Sequence, residues 1–252
     1  MTSAPPRWPG ALATRFAAAL DGRHPAVVFA AALIVGWVLV AALSIGLGLL
    51  ITDEIVPTDG VASADQSFVE SLVDERTPFL TDVSAVGSTV GSYVLVGVAI
   101  LTALFFAYRR MWVLAAYAAF LPMIESSLYR ITSAAAPRPR PDVPRLEDLP
   151  VDASYPSGHT AASIAVYGGL VLLLTTRITS LRWRLLAWIG VTLIAVFVAT
   201  SRMYRGMHHP IDAVGGVLLG LAAIAIVLFA CNAATAAMEM RRPPTASEGE
   251  SR

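Results

Sequence analysis

The sequence predicts an all-α membrane protein, a bundle of six transmembrane helices, on three observations. Of the 252 residues, 56% are hydrophobic and only 14% charged; ordinary soluble domains carry about a quarter charged residues, so lipid has to solvate much of this surface. Six apolar stretches approach or reach the ~20 residues that cross the hydrocarbon of a bilayer. None of them keeps the polar face that a helix on a soluble core turns to water.

The first stretch, Val27 to Ile51, is too long for the apolar part of a signal peptide, and no small-x-small pattern closes it, so it reads as a span. A long acidic loop, Thr52 to Ser92, follows. In its middle Phe68, Leu72 and Val73 share one side at helical spacing, the pattern of a short interfacial helix; over so few residues a solvated connector without a chemical role is the plainer expectation. The next spans are Tyr93 to Tyr108, Met111 to Tyr129, Thr160 to Thr176, Leu185 to Thr200 and Ala213 to Ala230. Residues 1–25 read as a cytoplasmic lead-in, 26–232 as the six-span domain and 233–252 as a cytoplasmic, disordered tail. The single cysteine, Cys231, leaves no disulfide framework.

Orientation follows from the basic residues, all of them arginines because the chain has no lysine. With both termini in the cytoplasm, eleven of the eighteen arginines lie inside: Arg7, Arg15, Arg23, Arg109, Arg110, Arg177, Arg182, Arg184, Arg241, Arg242 and Arg252. The positive-inside rule favours this arrangement in the cell membrane. Six of the seven left outside, Arg130, Arg138, Arg140, Arg145, Arg202 and Arg205, fall in two segments rich in other polar groups. No basic surface suited to nucleic acid emerges.

Because spans alternate in direction, the segments after spans three and five open on the same face. The first holds Arg138-Pro139-Arg140-Pro141 and Tyr155-Pro156-Ser157-Gly158-His159-Thr160; the second runs from Ser201-Arg202 to His208-His209-Pro210-Ile211-Asp212. Three of the four histidines thus meet at one membrane boundary. Pro210 suits the first turn of span six, so Asp212, four residues beyond His208, is expected to accept a hydrogen bond from one ring nitrogen and leave the other free to attack. Ser157 reads as the N-cap of span four. Gly158 allows its N–H to face an anion.

Phosphoryl transfer uses this inventory. Guanidinium forks match the equatorial oxygens of a transferring phosphoryl group, while one neutral histidine attacks and a second protonates the leaving oxygen. The expected assignment is His208 as nucleophile, His159 as general acid and then base, and Asp212 as partner. Arg138 or Arg140, Arg202, Ser157 and Gly158 are expected on the phosphate. No cofactor is called for. A zinc site of His159, His208 and Asp212 would have to form beside repelling arginines. A transporter would be expected to carry ionisable groups along a mid-membrane path, where only Glu125 qualifies; its expected partner is Arg130.

At these residues the sequence resembles the type 2 phosphatidic acid phosphatase (PAP2) superfamily, membrane lipid phosphatases related to vanadium haloperoxidases. Pro156-Ser157-Gly158-His159 matches the ProSerGlyHis motif, and Ser201-Arg202, five residues, His208, three residues and Asp212 match the third motif without a gap. The resemblance implies a PAP2/haloperoxidase-like bundle and the same residue roles. The first motif departs from the family: lysine, six residues, ArgPro. Arg140-Pro141 puts Ser133 at the lysine position, and Arg138-Pro139 puts Ile131 there. Arg140 is expected to be the family arginine, Arg138 an accessory, and Arg130, three residues before Ser133, a replacement for the lysine.

A site at the span ends implies an amphiphilic substrate whose tail stays in the bilayer. Arginine in place of lysine and abundant alanine suggest a GC-rich bacterial genome, and family analogy then puts a polyprenyl diphosphate first. Phosphatidic acid and phosphatidylglycerol phosphate are the alternatives.

Overall fold

A computed structural model describes residues 10–58, 60–148 and 153–241. Arg7, Asp59, Arg242, Arg252 and the polar tail from Pro243 onward lie outside the described residues. Every described regular element is helical, and six helices are long and apolar enough to cross a membrane: Pro25–Ile55, Pro78–Tyr108, Trp112–Ala135, Gly158–Thr175, Leu181–Tyr204 and Pro210–Met240. They are called spans one to six. The all-α, six-span multi-pass fold expected from the sequence is the observed one.

Three spans begin where proline at the first helical position removes a donor that would go unused. Pro25 follows His24, whose ring accepts the Ala26 N–H at 3.2 Å. Pro78 follows Thr77, whose hydroxyl accepts the Leu80 N–H at 3.2 Å. Pro210 follows His209.

The second span starts well before the expected Tyr93, and the loop between spans one and two, expected to run to Ser92, therefore ends at Thr77. Its first turns carry Ser84, Gly87 and Ser88 on a small, buried face packed on span five. Small polar residues turned toward protein hide a helix from a reading that looks only for apolar residues. Span six likewise continues to Met240, so residues 233–240 are helical and extend the bundle beyond the expected tail boundary. Ahead of the spans, helix Gly10–Ala19 buries Ala13 and Ala17 against span six.

Span six is the hub, packed against spans one, three and four. Its crossing with span four depends on Gly216, where a Cβ would meet the Ser157 carbonyl oxygen at 2.5 Å. Small residues let helix backbones approach closely where lipid supplies no hydrophobic drive between them. Spans one and three are tied by Trp37 Nε1 donating to Ser127 Oγ at 2.8 Å and by the Ser44 and Thr132 hydroxyls at 2.7 Å. Outward residues such as Leu43, Leu101 and Leu193 are exposed, as a lipid-facing surface requires.

Spans two and four each contain a widened π turn, Val90–Val94 and Ile164–Gly168. The Tyr167 hydroxyl joins them, donating to the Val90 carbonyl at 2.7 Å. Such turns recur near functional sites because they re-aim the side chains that follow; here Gly91 lies against the His159 side chain.

Candidate active site

The segment between spans three and four folds over the boundary of the bundle. The Ser154 N–H donates to the Arg138 carbonyl at 2.8 Å, and the Ser154 hydroxyl to the Pro139 carbonyl at 2.9 Å. Tyr155 is buried, and the Ser157 N–H donates to the Asp212 carbonyl at 2.9 Å, fastening the start of span four to the first turn of span six. The Ser157 hydroxyl lies 2.9 Å from the Thr160 hydroxyl rather than capping a backbone N–H. Gly158 opens span four beside the Tyr129 ring, whose carbons a Cβ would meet at 3.1 to 3.2 Å.

His159 and His208 line one cavity of about 630 Å³ together with Gly158, Tyr129, Arg130, Glu125 and residues 91–93. Two imidazoles from distant parts of the chain therefore share one space, as the motif spacing implies.

The orientation of His208 differs from the expectation. Its Nδ1 donates to the Ser154 carbonyl at 2.7 Å, whereas Asp212 Oδ2 is 4.0 Å away. A carbonyl oxygen only accepts, so Nδ1 carries the proton and Nε2 keeps its lone pair. At 4.0 Å Asp212 does not accept from Nδ1; its Oδ1 accepts from Arg138 Nη1 and its Oδ2 from the His209 N–H, each at 2.7 Å. Burial, with opposition from Asp212 and help from the nearby Arg202 and Arg140 charges, holds the His208 imidazole at about 3, far below its ordinary value. The ring is thereby held in its neutral form, with the Nε2 lone pair available.

The arginines divide into distinct settings. Arg202 is 0% exposed; its Nη1 donates to Ser88 Oγ and to Glu147 Oε2, both at 2.5 Å, while Nε and Nη2 have no hydrogen-bond partner among the described residues. Arg140 is buried and donates from Nη1 to the Met207 carbonyl at 2.5 Å. Arg138 is buried between two carboxylates, Asp212 and Asp65, at 2.7 Å each. That position braces the turn that opens span six. Arg130 is exposed on the cavity wall. Ser133 is buried with an unpartnered hydroxyl, and Ile131 is exposed at the helix surface.

Several participants escaped sequence reasoning. Asp65, in the loop helix Val61–Asp74, is 7% exposed; besides Arg138 it accepts the Ile211 N–H at 3.2 Å. The connector expected to be inert thus clamps the start of span six, with Asp65 and Val69 as its buried face rather than Phe68, Leu72 and Val73. Glu147 accepts from Arg202, from Arg205 Nε at 2.6 Å and from Ser88 at 2.8 Å. Burial alone would raise its pKa, but the Arg202 hydrogen bond and charge, with Ser88 and Arg205, hold it at about 2. Its place in the arginine-rich loop was the only available signal. Glu125 does not pair with Arg130; its Oε1 has no partner. Among the described residues no group of three or more His, Cys, Asp and Glu side chains is arranged to hold a metal ion, and Asp212 is already committed to Arg138 and His209.

Comparison with known proteins gives the family. The PAP2 superfamily model matches residues 112–236. The chain is 30% identical over 186 residues to a phosphatidylglycerophosphatase B of Bacillus subtilis, covering 71% of this chain and 88% of that one. It is 47% identical over 75 residues to an undecaprenyl-diphosphatase of Sulfolobus acidocaldarius, 30% of this chain and 32% of that one. A crystal structure of a transmembrane PAP2-type phosphatidylglycerolphosphate phosphatase from Bacillus subtilis superposes with a TM-score of 0.63 at 29% identity, over 73% of this chain and 92% of that one. With the two histidine motifs opening on one cavity at the end of a six-helix bundle, these matches make the chain a member of the PAP2 superfamily, a membrane-embedded phosphohydrolase of lipid phosphate or diphosphate esters.

Proposed function

We propose that the protein removes the terminal phosphate of phosphatidylglycerol phosphate at the outer face of the cell membrane, through a phosphohistidine on His208. The observations that carry the reaction are a neutral His208 protonated on Nδ1 and, near enough for its charge to act on that imidazole, a buried Arg202 whose Nε and Nη2 have no hydrogen-bond partner among the described residues. Leaving buried donors unsatisfied costs about 1–3 kcal/mol each, and phosphoryl oxygens would satisfy both.

In the cycle, His208 Nε2 forms a bond to phosphorus while the bond to the lipid oxygen breaks, and His159 gives that oxygen its proton. His159, now a base, takes a proton from water as the water oxygen attacks phosphorus; the P–N bond breaks and phosphate leaves. Arg202, Arg140 and the Gly158 N–H neutralise the equatorial oxygens, with the Ser157 hydroxyl beside them. Asp212 and Arg138 keep the turn in register. The guanidinium groups supply the positive charge, so the cycle uses no metal.

The choice of head group rests on the Bacillus phosphatases, which align over most of their length. A polyprenyl diphosphate, the substrate class the sequence put first, is supported by the archaeal relative over about a third of its length. The outer-face assignment rests on the arginine distribution.

Purified protein in detergent with EDTA is expected to release phosphate from phosphatidylglycerol phosphate faster than from undecaprenyl diphosphate. His208→Ala should abolish release, and acid-labile phosphate should appear on wild type but not on this variant. Equal activity in His208→Ala would refute the mechanism; a faster diphosphate reaction would refute the substrate.

A further inference from the structure

Glu125 is the group that the mechanism leaves unused. It is 2% exposed, and its Oε2 receives only a long hydrogen bond from Ser126 Oγ at 3.4 Å. Oε1 has no hydrogen-bond partner, and no described arginine or histidine lies within ion-pair distance of either oxygen. A buried acceptor left in this state is costly in a packed core. Yet the residue lines the same cavity as His159 and His208.

Its depth gives it a place on the substrate. Tyr129, one turn further along span three, lies against Gly158 at the start of span four. Glu125 is therefore about 6 Å further into the bundle than Tyr129, at 1.5 Å per residue. Between them the cavity is walled by Leu95 and Val96 of span two and Ala162 of span four, so it runs inward from the histidines, along the spans. In the proposed cycle the leaving group departs on the His159 side. The first atoms of the leaving alcohol then occupy this inward arm.

We infer that Glu125 is a specificity residue, whose Oε1 accepts a hydrogen bond from a free hydroxyl on the leaving alcohol. This deepens the proposed function and rests on it. A glycerol leaving group carries such a hydroxyl on the carbon next to the one bearing the ester oxygen. Phosphatidic acid has that position esterified and offers no donor. A polyprenyl diphosphate carries no hydroxyl on its leaving group and would bring no such donor to Oε1. A site built around a substrate hydroxyl rejects analogues that lack it more strongly than a merely apolar pocket does, because its own polar group is left unpaired.

The test measures kcat/KM of wild type, Glu125→Leu and Glu125→Gln on phosphatidylglycerol phosphate, phosphatidic acid and undecaprenyl diphosphate, with thermal melts alongside. Glu125→Leu is expected to lose roughly 10- to 100-fold on phosphatidylglycerol phosphate and less than about threefold on phosphatidic acid. Glu125→Gln, whose amide oxygen still accepts, should recover part of the loss and guards against a fold defect in the leucine variant. The same loss on all three substrates, no loss on any, or a wild type that does not prefer the hydroxyl-bearing lipid would each overturn the assignment. If wild type releases phosphate from none of the three lipids, it is the parent reading that fails, and Glu125 falls with it.

Discussion

Asp65 offers the sharpest test of how the site is held. Replacing it with asparagine keeps the shape and removes the charge from a buried chain in which Arg138 bridges Asp65 and Asp212 at 2.7 Å on each side. Removing one partner of a buried ion pair costs about 3–5 kcal/mol. Arg138 retains Asp212, so the lower end applies, about 3 kcal/mol. The Ile211 N–H retains an acceptor if the asparagine carbonyl faces it, and adds roughly 1 kcal/mol if it does not. For a chain of this size each kcal/mol lowers the melting temperature by about 2–4 °C, so the expected drop is about 6–16 °C.

The effect should reach the chemistry, because Asp212 also holds the His209 N–H and its carbonyl anchors Ser157. Turnover is expected to fall about tenfold or more with KM little changed, the pattern of a displaced nucleophile. The assays are phosphate release from detergent-solubilised protein and a thermal melt of the same sample. A double-mutant cycle with Arg138→Met should show a coupling of about 1–3 kcal/mol. Wild-type melting and turnover in Asp65→Asn would refute the clamp and return the loop between spans one and two to an inert connector.

Arg130→Ala should lower activity about tenfold or more if this cavity-wall guanidinium replaces the absent motif lysine; unchanged turnover would remove it from the site. Gly158→Ala drives a methyl toward three carbons of the rigid Tyr129 ring at 3.1 to 3.2 Å, and is expected to cost about 1–3 kcal/mol of stability together with most activity; a melt and rate like wild type would show that the ring moves freely. Glu147 titrates at about 2 when folded against an ordinary 4.5, so its contribution is complete above about 4.5 and disappears as pH falls toward about 2. Melts of wild type and Glu147→Gln should therefore differ at pH 7 and converge on acidification through that window; a gap independent of pH would exclude the charge as its source.

The outline of the bundle was legible because transfer to lipid is a local, additive property of each apolar run. The shared location of His159 and His208 was legible too, since alternating spans place loops after odd-numbered spans on one face. Proline and histidine types at Pro210, His208 and His159 marked the helix starts and the chemistry there. What only the tertiary structure decided is which groups meet. Pro78–Ser92 is helical because Ser84, Gly87 and Ser88 pack on span five, and no apolar count registers a small polar face turned inward. The proton on His208 is fixed by the Ser154 carbonyl, a backbone atom that every residue type possesses. By residue type alone nothing separates Asp65 and Glu147 from the exposed carboxylates of their loops; their buried arginine partners lie 73 and 55 positions away along the chain. Charge pairing at such separations depends on desolvation and distance in the folded bundle, quantities that a linear string of residues does not carry.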